Sequence, residues 1–543
     1  MLIINRPQSN HLAAGKMKEG DSSPKRKLAD SNDHEDSKKS KALKTSDDCS
    51  TSEPSSSSSE SDKTNLRREN EFINGNDCIK YPIANRGDYT QASAKPLFLQ
   101  VLKDALGGLY AKGVIRENIC EKTLTFWADY ISNCYLADTR QFHSFGHVMK
   151  LCEKSTPLQK IATLFHDVAY FQVDGGPPPS SERFLDDVLQ LDPYEPGEHI
   201  YVVNGNGEED IGVLIAMKVF DVKMGQKLDP TIGLNEFASA VIASRLLVQE
   251  EGIPLGAVAD VCAVIEATIP FRNNQWTERL RSNLLMVNKE FKMNRKGEDI
   301  DAGVCAAVNL ANRDVGDFGE PEELLFLDGT WDLLVENNPR LRLEGDKCPI
   351  RVWRCALQKT HTFLCTVATN LIFSKFRDTP SQEYVDWLSG NARRNVEVSR
   401  VYTGVKYVTT LLLESLETIK GKVSEPACTK PLVREECQGV LEKDASSNSK
   451  ARVAGAISMK KVTRAFRLHR TMKDSRIDQN FSHLGEQLIH SLDEDLEKVD
   501  QCLDGVKSKL TSQNQPLSKE EALAISKQFP ACYVKAVREA FNL

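Results

Sequence analysis

The sequence predicts an all-α protein, and three observations carry that prediction. Leu158, Ile161, Ala162, Phe165 and Tyr170 recur at helical spacing, as do Val258, Val261, Cys262, Ile265 and Ile269. A third run, Phe237, Val241, Ile242 and Leu246, repeats the three- and four-residue steps of a helix face. Strong breakers are confined to a few places, among them Gly175-Gly176 followed by Pro177 to Pro179, which reads as a loop. Only the stretch from His199 to Val219 is ambiguous, between a short hairpin and a turn into a helix. No internal repeat of fixed period is present.

In chain order, residues 1–90 read as a disordered arm. Its first aromatic residue is Phe72, and Ser46 to Asp62 holds nine serines in seventeen residues, too little apolar surface to offset chain entropy. Lys25-Arg26-Lys27 and Lys38-Lys39 with Lys41 make two basic clusters across 25–41, spaced like a bipartite signal for a nuclear import receptor. The acidic serine tract after them has the composition of a phospho-acceptor stretch. Residues 91–330 form the expected helical core, 331–425 a helical extension of it, and 426–543 a polar linker followed by C-terminal helices. Within the last segment, Lys460 to Arg476 carries seven basic residues against one acidic. Leu484, Leu488, Leu492, Leu496, Val499, Leu503 and Val506 then form an apolar stripe. Such a stripe reads first as core and alternatively as a surface for a protein partner across 459–510.

Composition excludes several classes. The 543 residues are 40% hydrophobic and 27% charged, with a formal net charge of −7, which argues against a globally basic nucleic-acid binder. Mean hydropathy is −0.40 and no apolar run reaches spanning length, so no membrane helix is expected. Residues 1–12 lack the basic and apolar regions of a secretory signal, and the 14 cysteines include no Cys-x-x-Cys pair. An intracellular protein, nuclear or cytoplasmic, with reduced thiols is the expectation.

The chemistry is concentrated in three segments. Phe142-His143-Ser144-Phe145-Gly146-His147 sets two histidines four apart, Leu164-Phe165-His166-Asp167-Val168 follows, and Asn312-Arg313-Asp314 comes much later. His166 and Asp167 interrupt what otherwise reads as a buried helix face. Burying an ionised carboxylate costs several kcal/mol unless a cation or hydrogen bonds offset it. An ion in the groove between helices would satisfy both residues, with a histidine from an earlier helix and an aspartate from a later one completing the set. Imidazole with carboxylate suits a divalent Zn, Mn or Fe ion, or Mg with more water, and one or two such ions are expected. Open coordination positions in such a set fit a catalytic site.

The order His-x3-His, His-Asp and distant Asp resembles the HD-domain superfamily of metal-dependent phosphohydrolases, and the first two motifs resemble the catalytic segment of the cyclic-nucleotide phosphodiesterases within it. Asn235-Glu236-Phe237-Ala238-Ser239-Ala240 and Ile265-Glu266-Ala267-Thr268 are similar to two segments of a bacterial-type branch. The resemblance runs from about Leu97 to Phe318. It implies an HD-type helical bundle in which His147, His166, Asp167 and Asp314 ligate the metal. Asp167 would bridge to a second ion, and His143 would protonate the leaving oxygen. Asn235 and Glu236 would support a ligand or water. The implied activity is hydrolysis of a nucleotide or small phosphoester, as a phosphomonoesterase or phosphodiesterase, by a metal-activated water.

The sequence departs from these patterns in two places. Val168-Ala169-Tyr170 stands where the phosphodiesterases carry a second Asp-His, and Ile269-Pro270-Phe271-Arg272 stands where the bacterial branch carries a histidine. Arg272 and Arg313 are candidates to face substrate phosphate, and His199 is a ligand candidate without an assigned place. Two alternatives accompany the hydrolase. One is a catalytically weak nucleotide-sensing scaffold that binds partners through its C-terminal helices. The other is an HD-fold di-iron oxygenase, which needs more histidines between Asp167 and Asp314 than the single His199.

Overall fold

The computed structural model describes residues 91–178, 180–192, 200–204, 210–230, 233–273, 275–421, 459–469, 475–511, 515–541 and 543. The basic clusters of 25–41, the serine tract and His199 lie outside them. The fold is all-α, with one small sheet. Among the described residues no helix is long and apolar enough to cross a membrane, and every cysteine is a free thiol.

The first core is closed by α1 (Gln91–Ala111), α2 (Glu121–Tyr135), α3 (Phe145–Glu153), α4 (Pro157–Phe165) and the one-turn α5 (Phe171–Asp174) and α6 (Glu182–Leu185). It continues through α7 (Ile211–Phe220), α8 (Leu234–Val248), α9 (Leu255–Ala267), α10 (Trp276–Glu290) and α11 (Gly297–Asp314). Helices α8 and α9 are buried on almost every side, which explains why their apolar residues exceed a single stripe. Helix α4 shows how local sequence sets a boundary. Thr156 accepts a hydrogen bond from the Gln159 amide, Gln159 caps back, and Pro157 takes the first helical position, where its missing N–H costs nothing. The ambiguous stretch resolves into both of its options. Tyr201–Val203 is the central strand β2 of an antiparallel sheet between β1 (Leu189–Leu191) and β3 (Lys227–Leu228), and α7 starts at Ile211 behind an Asp210 cap.

The chain then builds a second core from α12 (Glu323–Glu336), α13 (Pro339–Glu344), α14 (Ile350–Thr366) and the 39-residue α15 (Gln382–Lys420). Helices α16 (Met459–Leu468), α17 (Arg476–Ser491), α18 (Leu496–Lys507), α19 (Lys519–Ser526) and α20 (Ala531–Phe541) complete it. Helix α15 opens on a Ser381 cap and closes at Gly421, whose φ of 74° suits the left-handed terminator. Trp331, Trp353, Tyr402 and Leu411 share this core with Phe466, Phe481, Leu503 and Tyr533.

Much of 331–425 packs with the C-terminal helices, while Phe376 joins the first core and Phe363 and Phe373 cluster with Phe271 and Phe318. Of the two readings of 459–510, core and partner surface, the first describes the packing seen. The apolar stripe of 459–510 is covered by the chain itself: Val462, Phe466, Leu484, Leu488, Val499, Leu503 and Val506 are all buried. The basic face of α16 is also engaged, with Lys461 3.0 Å from Glu323, Arg464 2.6 Å from Glu322 and Arg467 2.5 Å from Glu486. The reason is that a stripe of this kind gains most by meeting another apolar face in its own chain.

Inside this second core lies a fully buried ion pair, Lys406 Nζ to Asp478 Oδ1 at 2.9 Å, joining α15 to α17. The ammonium also stands 4.5 Å from the Trp331 ring centre and 4.9 Å from that of Tyr402. Lys406→Met leaves the Asp478 carboxylate buried without its cation and is expected to lower unfolding free energy by about 3–5 kcal/mol. Adding Asp478→Leu should recover most of that loss. Urea unfolding of the three proteins measures both effects, and a double variant no better than the single one would contradict the account.

Candidate metal centre

Helix α4 ends by placing His166 at its C-cap, with Asp167 in the turn beyond. His166 is completely buried, and its Nδ1 donates to the Thr163 carbonyl at 2.7 Å. That bond fixes the tautomer and leaves the lone pair on Nε2. Nε2 lies 3.1 Å from Asp167 Oδ2 and 3.3 Å from Asp314 Oδ1, and no hydrogen bond satisfies it. A lone pair facing two carboxylate oxygens requires positive charge between them. Burial disfavours an imidazolium at His166, yet Asp167 and Asp314 outweigh it and hold the histidine well above its ordinary pKa. The same mutual attraction overcomes burial at Asp314, held at about 2, and drives Asp167 lower still.

His147, in the first turn of α3, reaches the same point, with Nε2 3.1 Å from Asp314 Oδ1. Ligand atoms of His147, His166 and Asp167 all lie within 4.8 Å of one another. Two donors bound to one ion at about 2.1 Å sit roughly 3.0–3.4 Å apart in octahedral or tetrahedral geometry. The three nitrogen–oxygen separations of this cluster match that spacing. His147, His166 and Asp167 therefore fit a divalent ion, with Asp314 Oδ1 lying against both imidazoles but outside that close group. Asp314 is the last residue of α11, so the carbonyl ends of α4 and α11 both face the cluster and add negative potential that favours a cation.

The turn after His166 is held by partners from two helices and a loop. The Asp167 amide donates to the Tyr135 hydroxyl at 3.1 Å, and Arg140 Nη1 donates to the Asp167 carbonyl at 2.9 Å while its fork grips Asp174. Ser239 Oγ accepts from the Ala169 amide at 3.1 Å and Asn235 Oδ1 from the Phe171 amide at 3.0 Å. Asn235 and Ser239 stand one helical turn apart on α8, and their task is to fix this backbone. Glu236, next to Asn235, instead lines a cavity that also exposes His143, Asp167 and Asp314. One Glu236 oxygen is buried without a partner, and burial followed by repulsion from Asp167 and Asp314 raises its pKa to about 7.

His143 lies just before α3 and is set by a residue that carries no motif of its own. Glu336, at the end of α12 and completely buried, accepts from His143 Nδ1 at 2.6 Å. Its second oxygen takes the amides of Gln141, Phe142 and His143 at 2.6, 2.7 and 3.0 Å. The imidazole is thereby oriented, with Nε2 left for whatever enters the cavity it lines. The available signal was a lone acid closing the apolar run Leu333-Leu334-Val335-Glu336.

The two arginine candidates are placed elsewhere. Arg272 forms a tight ion pair with Glu266, donates to the Glu266 carbonyl and stacks 4.3 Å from the Trp276 ring centre. Arg313 bonds to Asn309 O of its own helix and to Ser155 Oγ at 3.0 Å. Neither lines the cavity, because each guanidinium has nearer acceptors. Comparison with protein-family models, with curated proteins and with solved structures finds no match to the chain.

Burial raises the Glu336 carboxyl, but the charge and hydrogen bond of His143 and the charge of Arg140 outweigh it, leaving a pKa of about 2. A folded value below the ordinary 4.5 means that the stabilisation is complete above pH 4.5 and disappears as pH falls toward 2. Glu336→Gln should therefore cost on the order of 3 kcal/mol near neutrality and progressively less below pH 4.5. Chemical unfolding of both proteins at a series of pH values tests this, and a pH-independent difference would refute it.

Proposed function

We propose that the protein is a metal-dependent phosphoric ester hydrolase of the HD type, acting as a phosphomonoesterase or phosphodiesterase. The observation that carries the reading is the clustering of His147, His166 and Asp167, with Asp314 against both imidazoles, at the wall of a cavity that also displays His143 on its Glu336 support. These four side chains would hold the ion. When bound, a divalent cation there supplies charge to offset a phosphoryl group and to lower the pKa of a water.

The chain's own residues account for the remaining steps. A phosphoester binds with its phosphorus near the carboxylate pole of the cavity. As the water oxygen forms its bond to phosphorus and the bond to the leaving oxygen breaks, Glu236 takes the proton of the water. His143 gives the proton on its Nε2 to the leaving alkoxide, and Glu336 stabilises the imidazolium before transfer. A carboxyl whose pKa is about 7 is suited to accepting and returning a proton near neutral pH. The nucleotide-sensing scaffold loses one of its supports, since the C-terminal stripe is internal. The di-iron oxygenase lacks histidine donors among the described residues between Asp167 and Asp314.

Mg²⁺, Mn²⁺, Zn²⁺ or Fe²⁺ at roughly a hundred times its Kd should add about 2.7 kcal/mol to the stability of the full chain, visible as a rise in Tm. Asp167→Ala and Asp314→Asn should lose both that rise and the hydrolysis of a broad phosphoester panel. A wild-type protein that neither shifts nor turns over with any of the four ions would overturn the proposal.

A further inference from the structure

The cavity lining is chemically mixed. Its acidic pole carries Asp167, Asp314 and Glu236 beside His143, whereas an apolar arm is walled by Phe318, Phe326 and Phe363, which pack in one cluster, with Val315, Leu333 and Leu334 also lining the cavity. Phe318 stands 4.9 Å from Phe326, and Phe271, which is not itself a lining residue, lies 5.8 Å from Phe318 and 6.0 Å from Phe363, centre to centre. Three threonine hydroxyls line the cavity, and each donates to a carbonyl of its own helix. Thr268 bonds to Ile265 at 2.7 Å, Thr330 to Phe326 at 2.9 Å and Thr360 to Ala356 at 3.2 Å. Their protons are thus withheld from a ligand.

Among the described lining residues there is no lysine or arginine. At Asp317, on the cavity wall, the nearby cation is Lys150, which stands 2.9 Å from that carboxylate and 3.7 Å from Glu320. Binding a di- or triphosphate without guanidinium or ammonium partners would add several negative charges to an already acidic pole. A single phosphoryl group needs only the ion to offset it. An apolar alcohol moiety, by contrast, meets six apolar walls and threonines whose protons are already committed.

Resting on the hydrolase reading above, we infer that the substrate is an ester of one phosphoryl group with a large apolar alcohol, aromatic or long-chain aliphatic, and not a nucleoside polyphosphate. The phosphoryl group occupies the acidic pole and the hydrocarbon fills the arm between α11, α12 and α14. Hydrolysis then transfers the phosphoryl group from the apolar alkoxide to water, releasing the alcohol and phosphate.

The test uses the full chain with Mn²⁺. Methyl, butyl, hexyl and 1-naphthyl phosphate and adenosine triphosphate are compared as substrates. Methyl-, butyl- and hexylphosphonate, which are not hydrolysed, are titrated by calorimetry. The expected result is a rise in kcat/KM and in phosphonate affinity of roughly threefold per methylene until the arm is filled, with adenosine triphosphate the poorest substrate. Leu333→Arg, which puts a cation into the arm, should shrink the hexyl-to-methyl ratio. Phe318→Ser serves the same purpose if the first variant does not fold.

Phosphonates that bind more tightly with chain length while no ester is cleaved would sink the hydrolase reading and leave the substrate class standing. Ester cleavage indifferent to chain length, or favouring adenosine triphosphate, would overturn the class while the hydrolase reading survives. A hexyl-to-methyl ratio unchanged in every folded arm variant would also overturn the class. Absence of both binding and cleavage overturns class and hydrolase together.

Discussion

The interior of the first helical bundle contains a demand for positive charge. Asp167 and Asp314 direct carboxylate oxygens at the lone-pair nitrogen of a histidine that has no exposure and whose other nitrogen is already committed to a backbone carbonyl. Ionised carboxylates in such a place are tolerated only with a cation at close range. Much of the surrounding architecture keeps them there. Arg140 and Tyr135 grip the Asp167 backbone, two residues of α8 pin the turn that follows, and the ends of α4 and α11 are aimed so that their carbonyl dipoles deepen the negative potential.

The division of labour between the two cores follows from that charge. The first supplies the cluster itself. The second supplies Glu336, which organises the loop before α3 by accepting three consecutive amides along with the histidine ring. A carboxylate that accepts so many donors is both stabilised and immobile. It holds His143 beside the aspartates in the same cavity, where under the proposed hydrolase reading a proton donor is required. The cavity is consequently a joint product: Glu236 of α8 and Asp314 of α11 line it together with Phe326, Leu333 and Leu334 of α12 and Phe363 of α14.

Much of this was legible in the chain. The apolar spacing of 158–165 and 258–269 reports real buried helices, because period and burial are directly linked. Residue types alone marked His166 and Asp167 as buried groups in need of a cation, whereas His147 and Asp314 were implied only by the resemblance to the HD superfamily. What escaped were contacts between distant segments. Nothing local distinguishes Glu336, which meets His143 across 193 residues, from an ordinary acid at a helix end. The arginines misled for a related reason. Arg272 and Arg313 adjoin motif residues in sequence, but a guanidinium reaches over several ångströms, and where it settles depends on which acceptors the fold brings near. The C-terminal stripe was ambiguous because a helix face reads the same whether its partner is another molecule or the same chain.

Glu336 ends a helix whose Trp331 packs against Tyr402 and His469, far along the chain. During synthesis on the ribosome, the aspartates and their histidines emerge long before the helices that seat α12. A nascent chain can assemble the charged cluster while the imidazole beside it still lacks its support. The pocket is thus finished only after segments well beyond the ligand set have been made.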